Sequence, residues 1–471
     1  MKNNAKTRVE KKATFLPSLI VMLTAILVLV LSVLLLKLDP HIPLIMCTFI
    51  LAFYGLYLGI SWSDLMSSAI KSISECMEAI IIMMSIGMVV GSWVSCGTVP
   101  FVIYWGLKIF SPGWLLPFTV ILCALMSTLI GSSWTTAGTI GVAFMGIGVA
   151  LGIPAPIVAG AVVCGSFFGD TQSPMSDGCN FATAISGAGL YNGVKGMIIS
   201  NAPALLISIV AFVFIGFGFG GDGGADVGAN INTTLAGLDS GFNLTPAVIL
   251  PAILLIFLII IKFPAVPTMI AAAFSGVLCS IIFQGNSIAS SLSFLMKGYK
   301  GETGVPDVDT IVSRGGLSGM MGTVAIVILS MWMAGVLQRT GIIHAILEKI
   351  VGLIRKPTGL VATTTVTTFA FSYFAADPYL AMMLPSKAFG EAYDEMGYDR
   401  SVLCRSISSA VFFAPMVPWG SGGLYVAATL GVAVLDYIPY YFVGIAAPII
   451  TILCAIFGWG MYKKKEVEVK K

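Results

Sequence analysis

Apolar stretches of about twenty residues, each long enough to span a bilayer as a helix, follow one another along most of this chain. Hydrophobic residues make up 57% of its 471 residues and charged residues 10%, and the mean hydropathy is +0.98. Inside the hydrocarbon core of a bilayer, a helix satisfies all of its own backbone hydrogen bonds. The sequence therefore predicts an all-α polytopic membrane protein whose main partner is the lipid bilayer.

Ten stretches are candidates for full membrane spans. They lie near 15–36, 41–60, 79–97, 156–189, 196–218, 246–262, 265–284, 318–338, 401–432 and 437–460. The fourth and the ninth are too long for plain helices and are interrupted, so we predict two broken helices at about 156–189 and 401–432. Two further pairs of short apolar arms, at about 115–152 and 358–385, are each broken by polar residues, and we predict that they form re-entrant hairpins.

Basic residues orient the chain, because cytoplasmic segments of membrane proteins carry an excess of Lys and Arg. Such residues cluster at both ends: Lys2, Lys6, Arg8, Lys11, Lys12, Lys463, Lys464, Lys465, Lys470 and Lys471. We therefore expect a multi-pass protein of the cell membrane with both termini in the cytoplasm. The 285–317 segment departs from the rule, since this orientation places Lys297, Lys300 and Arg314 outside.

The two halves of the chain repeat one pattern. Ser133 precedes the break at Pro174 by the same number of residues as Asp377 precedes the break at Pro418. We predict a first transmembrane repeat over 1–218, an extracytoplasmic linker loop over 219–245 and a second repeat over 246–471. An odd number of crossings between the repeats would invert one relative to the other, as in many secondary transporters. The alternative is coincidence among Gly and Pro positions.

Three aspartates, Asp170, Asp177 and Asp377, lie inside these apolar stretches. A carboxylate at bilayer depth costs about 2.5–3.5 kcal/mol on insertion scales, and such groups usually face an ion or proton pathway. Broken helices in corresponding positions of two halves are a sequence indication of a transporter's binding site. We therefore expect a cation or proton site at the breaks, and we expect the transported or coupling Na⁺ and H⁺ to be the only bound species, without a cofactor.

The first broken helix carries a hard-donor set that suits Na⁺: Asp170, Asp177, Ser173, Ser176 and Asn180. One carboxylate can hold a proton when no cation is bound, because burial disfavours the charged form and two close carboxylates resist joint ionisation. That is a physical basis for exchanging Na⁺ against H⁺ at one site. The alternative is that both aspartates only cap helix ends.

The other breaks supply neutral groups and one acid. The first hairpin offers three hydroxyls and an indole ring that could contact a cation or a ligand carboxylate, from Ser132, Ser133, Trp134 and Thr135. The alternative is that its small residues only pack against neighbouring helices. Asp377 precedes Pro378, which fits a helix cap and a ligand role equally well. The second broken helix has no acid at its break and offers Trp419 and Ser421.

Several classes of protein are not supported by the sequence. The nine cysteines form no CxxC pair and the two histidines are far apart, so neither a disulfide framework nor a Cys/His metal site is indicated. No GxxxxGK motif for nucleotides occurs, and no hydrolase pattern points to an enzyme. We expect a small ion or a small organic solute as the cargo and no nucleic acid. For the assembly, a homodimer remains open. For the function, a channel and an intramembrane aspartyl protease remain as alternatives.

At these residues the chain resembles the NhaC family of Na⁺/H⁺ antiporters, in the ion transporter superfamily. The hairpin sequence from Gly131 to Gly141 is similar to that of the family, as is the run from Gly169 through Pro174 and Asp177 to Asn180. In the second half, the similarity covers Asp377, Tyr379, Leu380, Leu384, Pro385, Pro418, Trp419, Gly420 and Gly423. The resemblance implies inverted repeats, re-entrant hairpins and secondary exchange, with organic anions as cargo in some members.

The chain departs from the family pattern at three places. Gly420 replaces an Asn, Gly178 and Cys179 replace a Thr pair, and Arg405 is followed by Ser and Ile instead of acids. Fewer acids and a larger pocket are compatible with an organic cargo. We thus expect a cation-coupled secondary transporter, foremost a Na⁺/H⁺ antiporter, with a Na⁺- or H⁺-coupled carrier of a small carboxylate or amino acid as the alternative.

Overall fold

The computed structural model describes residues 10–219, 224–261, 263–351, 356–375 and 377–464. Within these ranges all regular secondary structure is helical, and the one β-type contact is an isolated bridge between Tyr398 and Lys463. The terminal residues 1–9 and 465–471, which carry most of the basic clusters, lie outside the described ranges. The predicted all-α class is confirmed.

The helices of the first part are α1 Phe15–Val30, α2 His41–Tyr57, α3 Trp62–Glu75, α4 Met77–Ser95, α5 Thr98–Ile109, α6 Pro112–Ile130, α7 Ser133–Thr136, α8 Val142–Ala150, α9 Ala155–Gln172, α10 Asp177–Ser186, α11 Leu190–Phe219 and α12 Gly224–Gly241. Two π-helical turns interrupt this series. Leu31–Leu35 extends α1, and Ala137–Gly141 joins α7 to α8.

The helices of the second part are α13 Leu250–Ile260, α14 Ala265–Gln284, α15 Ile288–Lys297, α16 Pro306–Val312, α17 Leu317–Thr340, α18 Ile342–Val351, α19 Pro357–Ala375, α20 Pro378–Glu395, α21 Arg400–Ile407, α22 Ser409–Phe413, α23 Ser421–Leu430, α24 Val434–Tyr437 and α25 Phe442–Phe457. Short 3₁₀ turns precede α13 and α25 and follow α22, at Pro246–Ile249, Ile438–Tyr440 and Ala414–Met416.

Six helices among the described residues are long and apolar enough to cross a membrane, and up to ten spans result if each of four bent helix pairs counts as one. The six are Phe15–Val33, Pro112–Ile130, Ser133–Ala150, Leu190–Phe219, Ala265–Gln284 and Leu317–Thr340. The chain is therefore a multi-pass membrane protein. The boundaries of α14 coincide with those that the sequence predicts.

The arms of the first predicted hairpin are longer than expected. Pro112–Ile130 and Ser133–Ala150 are each long enough to cross a bilayer, whereas the sequence suggests short arms. Polar residues mislead here, because the hydroxyls of Thr119 and Thr128 bond to carbonyls one turn earlier, at 2.8 and 2.7 Å, and so remain compatible with an apolar setting. In the second hairpin, α20 likewise runs beyond the predicted end at residue 385.

The predicted linker is a helix and not a loop for most of its length, since α12 occupies Gly224–Gly241; its position outside the membrane between two repeats stays a prediction. Glycine has a low helix propensity, but here it allows a close approach to the segment that leads into α16. A Cβ at Gly237 would lie 2.9 Å from Val305, and one at Gly241 would lie 2.5 Å from Thr303. Tertiary packing therefore overrides the loop-forming composition.

Helices follow in the same order in both halves: a long helix, a short one, a two-armed hairpin, a broken helix and a final long segment. These are α4 to α11 in the first half and α17 to α25 in the second. A shift of 244 residues carries Ser133 onto Asp377 and Pro174 onto Pro418 (377 − 133 = 418 − 174 = 244). The same shift carries the first residue of α5, Thr98, onto that of α18, Ile342. It also carries the last residue of α10, Ser186, onto that of α23, Leu430.

Helix α9 passes through the centre of the molecule and packs against α6 with almost no space between the two backbones. Added Cβ atoms at Gly165 and Gly169 would lie 2.3 Å from the Val120 carbonyl oxygen and 2.4 Å from the Ala124 carbonyl oxygen. Only glycine permits this contact. The end of α9 is thereby held beside the end of α6, which is where the predicted hairpin tip begins.

Candidate functional site

Asp170 connects the first broken helix to the first hairpin tip. It lies in the last turn of α9, and its carboxylate accepts hydrogen bonds from two hydroxyls. Ser133 Oγ donates to Oδ2 at 2.5 Å, and Ser176 Oγ donates to Oδ1. The side chain lines an internal cavity. One carboxylate thus has a bonding partner in each of two neighbouring elements.

The break between α9 and α10 is shaped by local hydrogen bonds. Ser176 caps α10 by accepting from Cys179 N at 3.4 Å, which leaves Asp177 as the first helical residue. Ser173 Oγ donates to the Thr128 carbonyl at 2.7 Å. Asn180 Nδ2 donates to two carbonyls of the break, at 2.9 Å each. Ser173 and Asn180 therefore hold the backbone of the break and do not line the cavity.

The first hairpin tip approaches this break closely. Helix α6 ends at Gly131, whose φ of 75° lies in the left-handed region, and a Cβ there would lie 2.7 Å from the backbone of Met175. Ser132 then caps α7 by accepting from Thr135 N at 3.2 Å. Ser132 and Ser133 line the cavity, while Thr135 is buried away from it.

The second half contributes Asp377 and Ser421. Asp377 caps α20 by accepting from Leu380 N at 2.8 Å, and it also lines the cavity. Ser421, the first residue of α23, is buried and lines the cavity too. The sequence left capping and ligand roles open for Asp377, and the structure shows a cap that faces the cavity.

Trp419 lies apart from this group. Its Nε1 donates to the Tyr373 carbonyl at 2.8 Å, and its own carbonyl accepts from Ser330 at 2.8 Å. It lines a separate apolar pocket between α1, α2 and α17, whose lining includes Met22 and Leu51. The sequence grouped Trp419 with Ser421 because both follow Pro418, but the turn between them directs them to different sides.

The cavity has a volume of about 150 Å³ and brings seven of the predicted residues together. They are Ser132, Ser133, Trp134, Asp170, Asp177, Asp377 and Ser421. Nowhere in the described ranges do three His, Cys, Asp or Glu side chains lie close enough to hold a metal ion. A cation in this cavity would therefore be coordinated by hydroxyl and backbone oxygens together with a carboxylate, which suits a hard monovalent ion.

A wider space, which we call the vestibule, adjoins the cavity. Its volume is about 610 Å³, and it shares Cys76, Asp177, Asp377 and Tyr379 with the cavity lining. It also contains charged side chains, namely Lys71, Glu75, Glu78 and Lys387. Asp177 is exposed within this space. The vestibule and the cavity are therefore neighbouring spaces that meet at this aspartate.

Sequence reasoning missed most of the vestibule. The segment that contains α3, Glu75 and Glu78 falls between the predicted spans at 41–60 and 79–97 and so is missing from the predicted architecture. The available signal was the amphipathic pattern of α3, whose buried residues Leu65, Ala69 and Ser72 share one face. That face packs on α17, where a Cβ on Gly335 would lie 2.5 Å from Ala69 Cα.

The helices, the two polar breaks and the cavity between them define a multi-pass helical membrane protein built around a buried polar site. Comparison with known proteins narrows this class. The sequence model that describes the Na⁺/H⁺ antiporter family matches residues 165–459 of this chain. This segment contains all three membrane aspartates. The chain belongs to this family.

Similarity to individual relatives covers nearly the whole chain. The Na⁺/H⁺ antiporter NhaC of Alkalihalophilus pseudofirmus is 35% identical over 464 residues, which cover 98% of this chain and 100% of that protein. The arginine/ornithine antiporter ArcD of Halobacterium salinarum is 36% identical over 98% of this chain and 95% of its own. The malate-2H⁺/Na⁺-lactate antiporter of Bacillus subtilis is 32% identical over 96% and 97%. The resemblance to the NhaC family is confirmed.

Proposed function

We propose that this protein is a secondary antiporter of the cell membrane that exchanges Na⁺ for H⁺ through the cavity. The observation that carries the proposal is the Asp170 carboxylate, which lines the cavity and accepts hydroxyl hydrogen bonds from Ser133 and Ser176. Family membership and the similarity to antiporters named for Na⁺ and H⁺ support it. Both ions are cargo, and the exchange needs no cofactor and no enzymatic step.

Asp170 can serve both ions in turn. When it is charged, Na⁺ binds to the carboxylate and to hydroxyl oxygens that rotate their protons away; when the cation leaves, a proton restores neutrality. Asp177 is exposed in the vestibule and shares the cavity lining, so it would receive the cation first. Asp377 faces the same space from the second half. Because each carboxylate is occupied by one ion or the other, the two fluxes are coupled.

The architecture that fits this function is a pair of inverted repeats, each with a re-entrant hairpin and a broken helix. The common element order and spacing of the two halves support it. In this arrangement both termini lie in the cytoplasm and the vestibule opens to the cytoplasmic side. Lys71 and Lys387 in the vestibule agree with that orientation, since basic residues favour the cytoplasmic face.

The test uses proteoliposomes that contain a pH-sensitive dye and receive pulses of Na⁺, Li⁺ or K⁺. We expect cation-driven proton movement in the wild type and its loss in Asp170→Asn and Asp177→Asn, because an amide cannot exchange a proton for a cation. The matched control is Asp436→Asn, which changes an exposed aspartate on α24 outside the cavity lining. Folded wild-type protein that moves no protons in response to any of these cations would contradict the proposal.

The vestibule favours a second candidate, a Na⁺- or H⁺-coupled carrier of a small carboxylate or amino acid. Its volume of about 610 Å³ exceeds what a bare cation needs, and Lys71 and Lys387 can attract a carboxylate. The relatives named for arginine/ornithine and for malate/lactate agree with this candidate. Uptake of labelled carboxylates and amino acids under a Na⁺ gradient tests it, and strict coupling of the two fluxes would exclude a channel.

A further inference from the structure

Two pairs of aromatic side chains flank the cavity. In the first pair, the rings of Trp134 and Tyr425 are stacked with centroids 4.5 Å apart and planes inclined by 8°. The Tyr425 hydroxyl donates to the Trp134 carbonyl at 2.5 Å. Tyr425 is 0% exposed, and a Cβ on Gly138 would lie only 2.7 Å from its hydroxyl. This pair leaves no passage between the hairpin tip and α23.

The second pair has a looser arrangement. The rings of Phe181 and Tyr379 meet edge to face, with centroids 5.2 Å apart and planes inclined by 87°. Both side chains line the vestibule, and Tyr379 is 40% exposed. Tyr379 also lines the cavity, as Trp134 does. The second pair therefore lies where the cavity opens into the vestibule.

The pairs occupy corresponding positions when residues are counted from the starts of their helices; at the hairpin tips this count differs by one residue from the shift that carries Ser133 onto Asp377. Trp134 and Tyr379 are each the second residue of a hairpin's second arm, after the caps Ser132 and Asp377. Phe181 and Tyr425 are each the fifth residue after the break of a broken helix, in α10 and α23. Each pair joins a hairpin of one half to the broken helix of the other. When one half of a transporter adopts the conformation of the other and the reverse, corresponding contacts in the two halves are expected to differ in geometry within any one state.

We propose that these pairs are the two gates of the cavity: Trp134 and Tyr425 close the side away from the vestibule, while Phe181 and Tyr379 have opened toward it. The proposal rests on the proposed transport function and adds the residues that control access. A transporter must never open both gates together, because the ion gradients would then dissipate. In the opposite state Phe181 and Tyr379 stack, and Trp134 separates from Tyr425.

Cys76 provides a native probe of access. It lines both the cavity and the vestibule, and it is the one cysteine of the nine that is not buried. A membrane-impermeant maleimide is added to right-side-out or inside-out membrane vesicles, and the labelling rate is measured from each side. Cys76→Ser defines the background. In the wild type we expect fast labelling from the vestibule side and slow labelling from the far side.

Tyr425→Ala should raise the far-side labelling rate about tenfold, because a stacked ring pair and a hydrogen bond together shift a two-state equilibrium by about that factor or more. Tyr425→Phe, which keeps the ring and loses the donor, should give a smaller rise. Tyr379→Ala should leave the far-side rate unchanged, since it alters the gate that is already open. Phe212→Ala removes an equally buried ring from a pair with Phe442 and serves as the matched control.

An unchanged far-side rate in Tyr425→Ala and Tyr425→Phe, with vestibule-side labelling retained as evidence of folding, would overturn the gate assignment. An equal rise in Phe212→Ala would overturn it as well, because the effect would then be general loosening. Labelling does not depend on transport. Opened far-side access in a protein that moves no protons would therefore retain the gates and reject Na⁺/H⁺ exchange.

Discussion

Ser133 and Ser176 donate to the two oxygens of one carboxylate, and this pair of bonds defines the chemistry of the cavity. Both hydroxyls come from helix ends, so their positions are fixed by capping and by the break. A hydroxyl can donate to an empty carboxylate and offer its lone pairs to a cation without moving its oxygen. In the proposed exchange, the two serines would therefore serve both the cation-free and the cation-bound states of Asp170.

Replacing Ser133 by Ala should raise the Na⁺ concentration for half-maximal exchange about tenfold. The variant lacks one oxygen ligand for the bound cation, and the loss of a polar contact to a charged group costs about 1.5–3 kcal/mol, which outweighs the loss of the hydrogen bond in the cation-free state. The measurement is the dye assay in proteoliposomes over a range of Na⁺ concentrations. Ser290→Ala, on α15 outside the cavity lining, is the control. An unchanged half-maximal concentration would mean that Ser133 does not contact the cation.

At the scale of elements, the close approach of the hairpin tip to the break depends on Gly131. Its φ is 75°, and so is that of Gly187 at the end of α10. The two glycines differ in their surroundings. A Cβ at Gly131 would lie 2.7 Å from the Met175 backbone, whereas a Cβ at Gly187 would meet nothing within 4 Å. A comparison of alanine substitutions at these two glycines therefore distinguishes the cost of a left-handed backbone from the cost of a steric clash.

Gly187→Ala should lower the free energy of unfolding by about 1–2 kcal/mol through the left-handed backbone alone. Gly131→Ala should cost more, since the hairpin tip must also move away from the break, and it should reduce exchange where Gly187→Ala does not. Thermal unfolding in detergent and the dye assay measure both effects. Equal destabilisation with intact exchange in both variants would show that the tip tolerates displacement.

The sequence predicts elements better than it predicts their contacts. Continuous apolar runs identify α14 to the residue, and Gly and Pro locate both breaks. Lys71 and Lys387 enter the same vestibule from α3 and α20, which are far apart in the chain, and no local pattern encodes that meeting. For the same reason the sequence does not show that Trp419 lines an apolar pocket instead of the cavity. Local propensity fixes where a helix ends, whereas packing decides which space its neighbours face.

At the scale of the whole molecule, both described ends of the chain are tied to polar helix ends. Glu10 pairs with Arg339 at 2.6 Å, and Lys464 lies 3.4 Å from Asp394, which also pairs with Arg400. The Arg400 guanidinium holds the pKa of Asp394 below its usual range. These basic and acidic groups belong in water, and the excess of Lys and Arg favours the cytoplasmic face.

A C-terminal affinity tag should therefore be reached by antibody in inside-out vesicles and protected in right-side-out vesicles. The physical reason is the positive-inside preference of both termini. Detergent permeabilisation, which should expose the tag in both preparations, is the control. Protection in inside-out vesicles instead would reverse the orientation and place the vestibule on the outer face.

The backbone contact of α6 with α9 has a consequence for motion. Gly165 and Gly169 leave no layer of side chains between these helices, so they cannot slide or tilt against each other without atomic overlap. Asp170 lies in the last turn of α9 and is therefore carried on a rigid two-helix body. If this part of the protein moves during exchange, we expect the two helices to move as one piece and the aspartate to keep its distance from the end of α6.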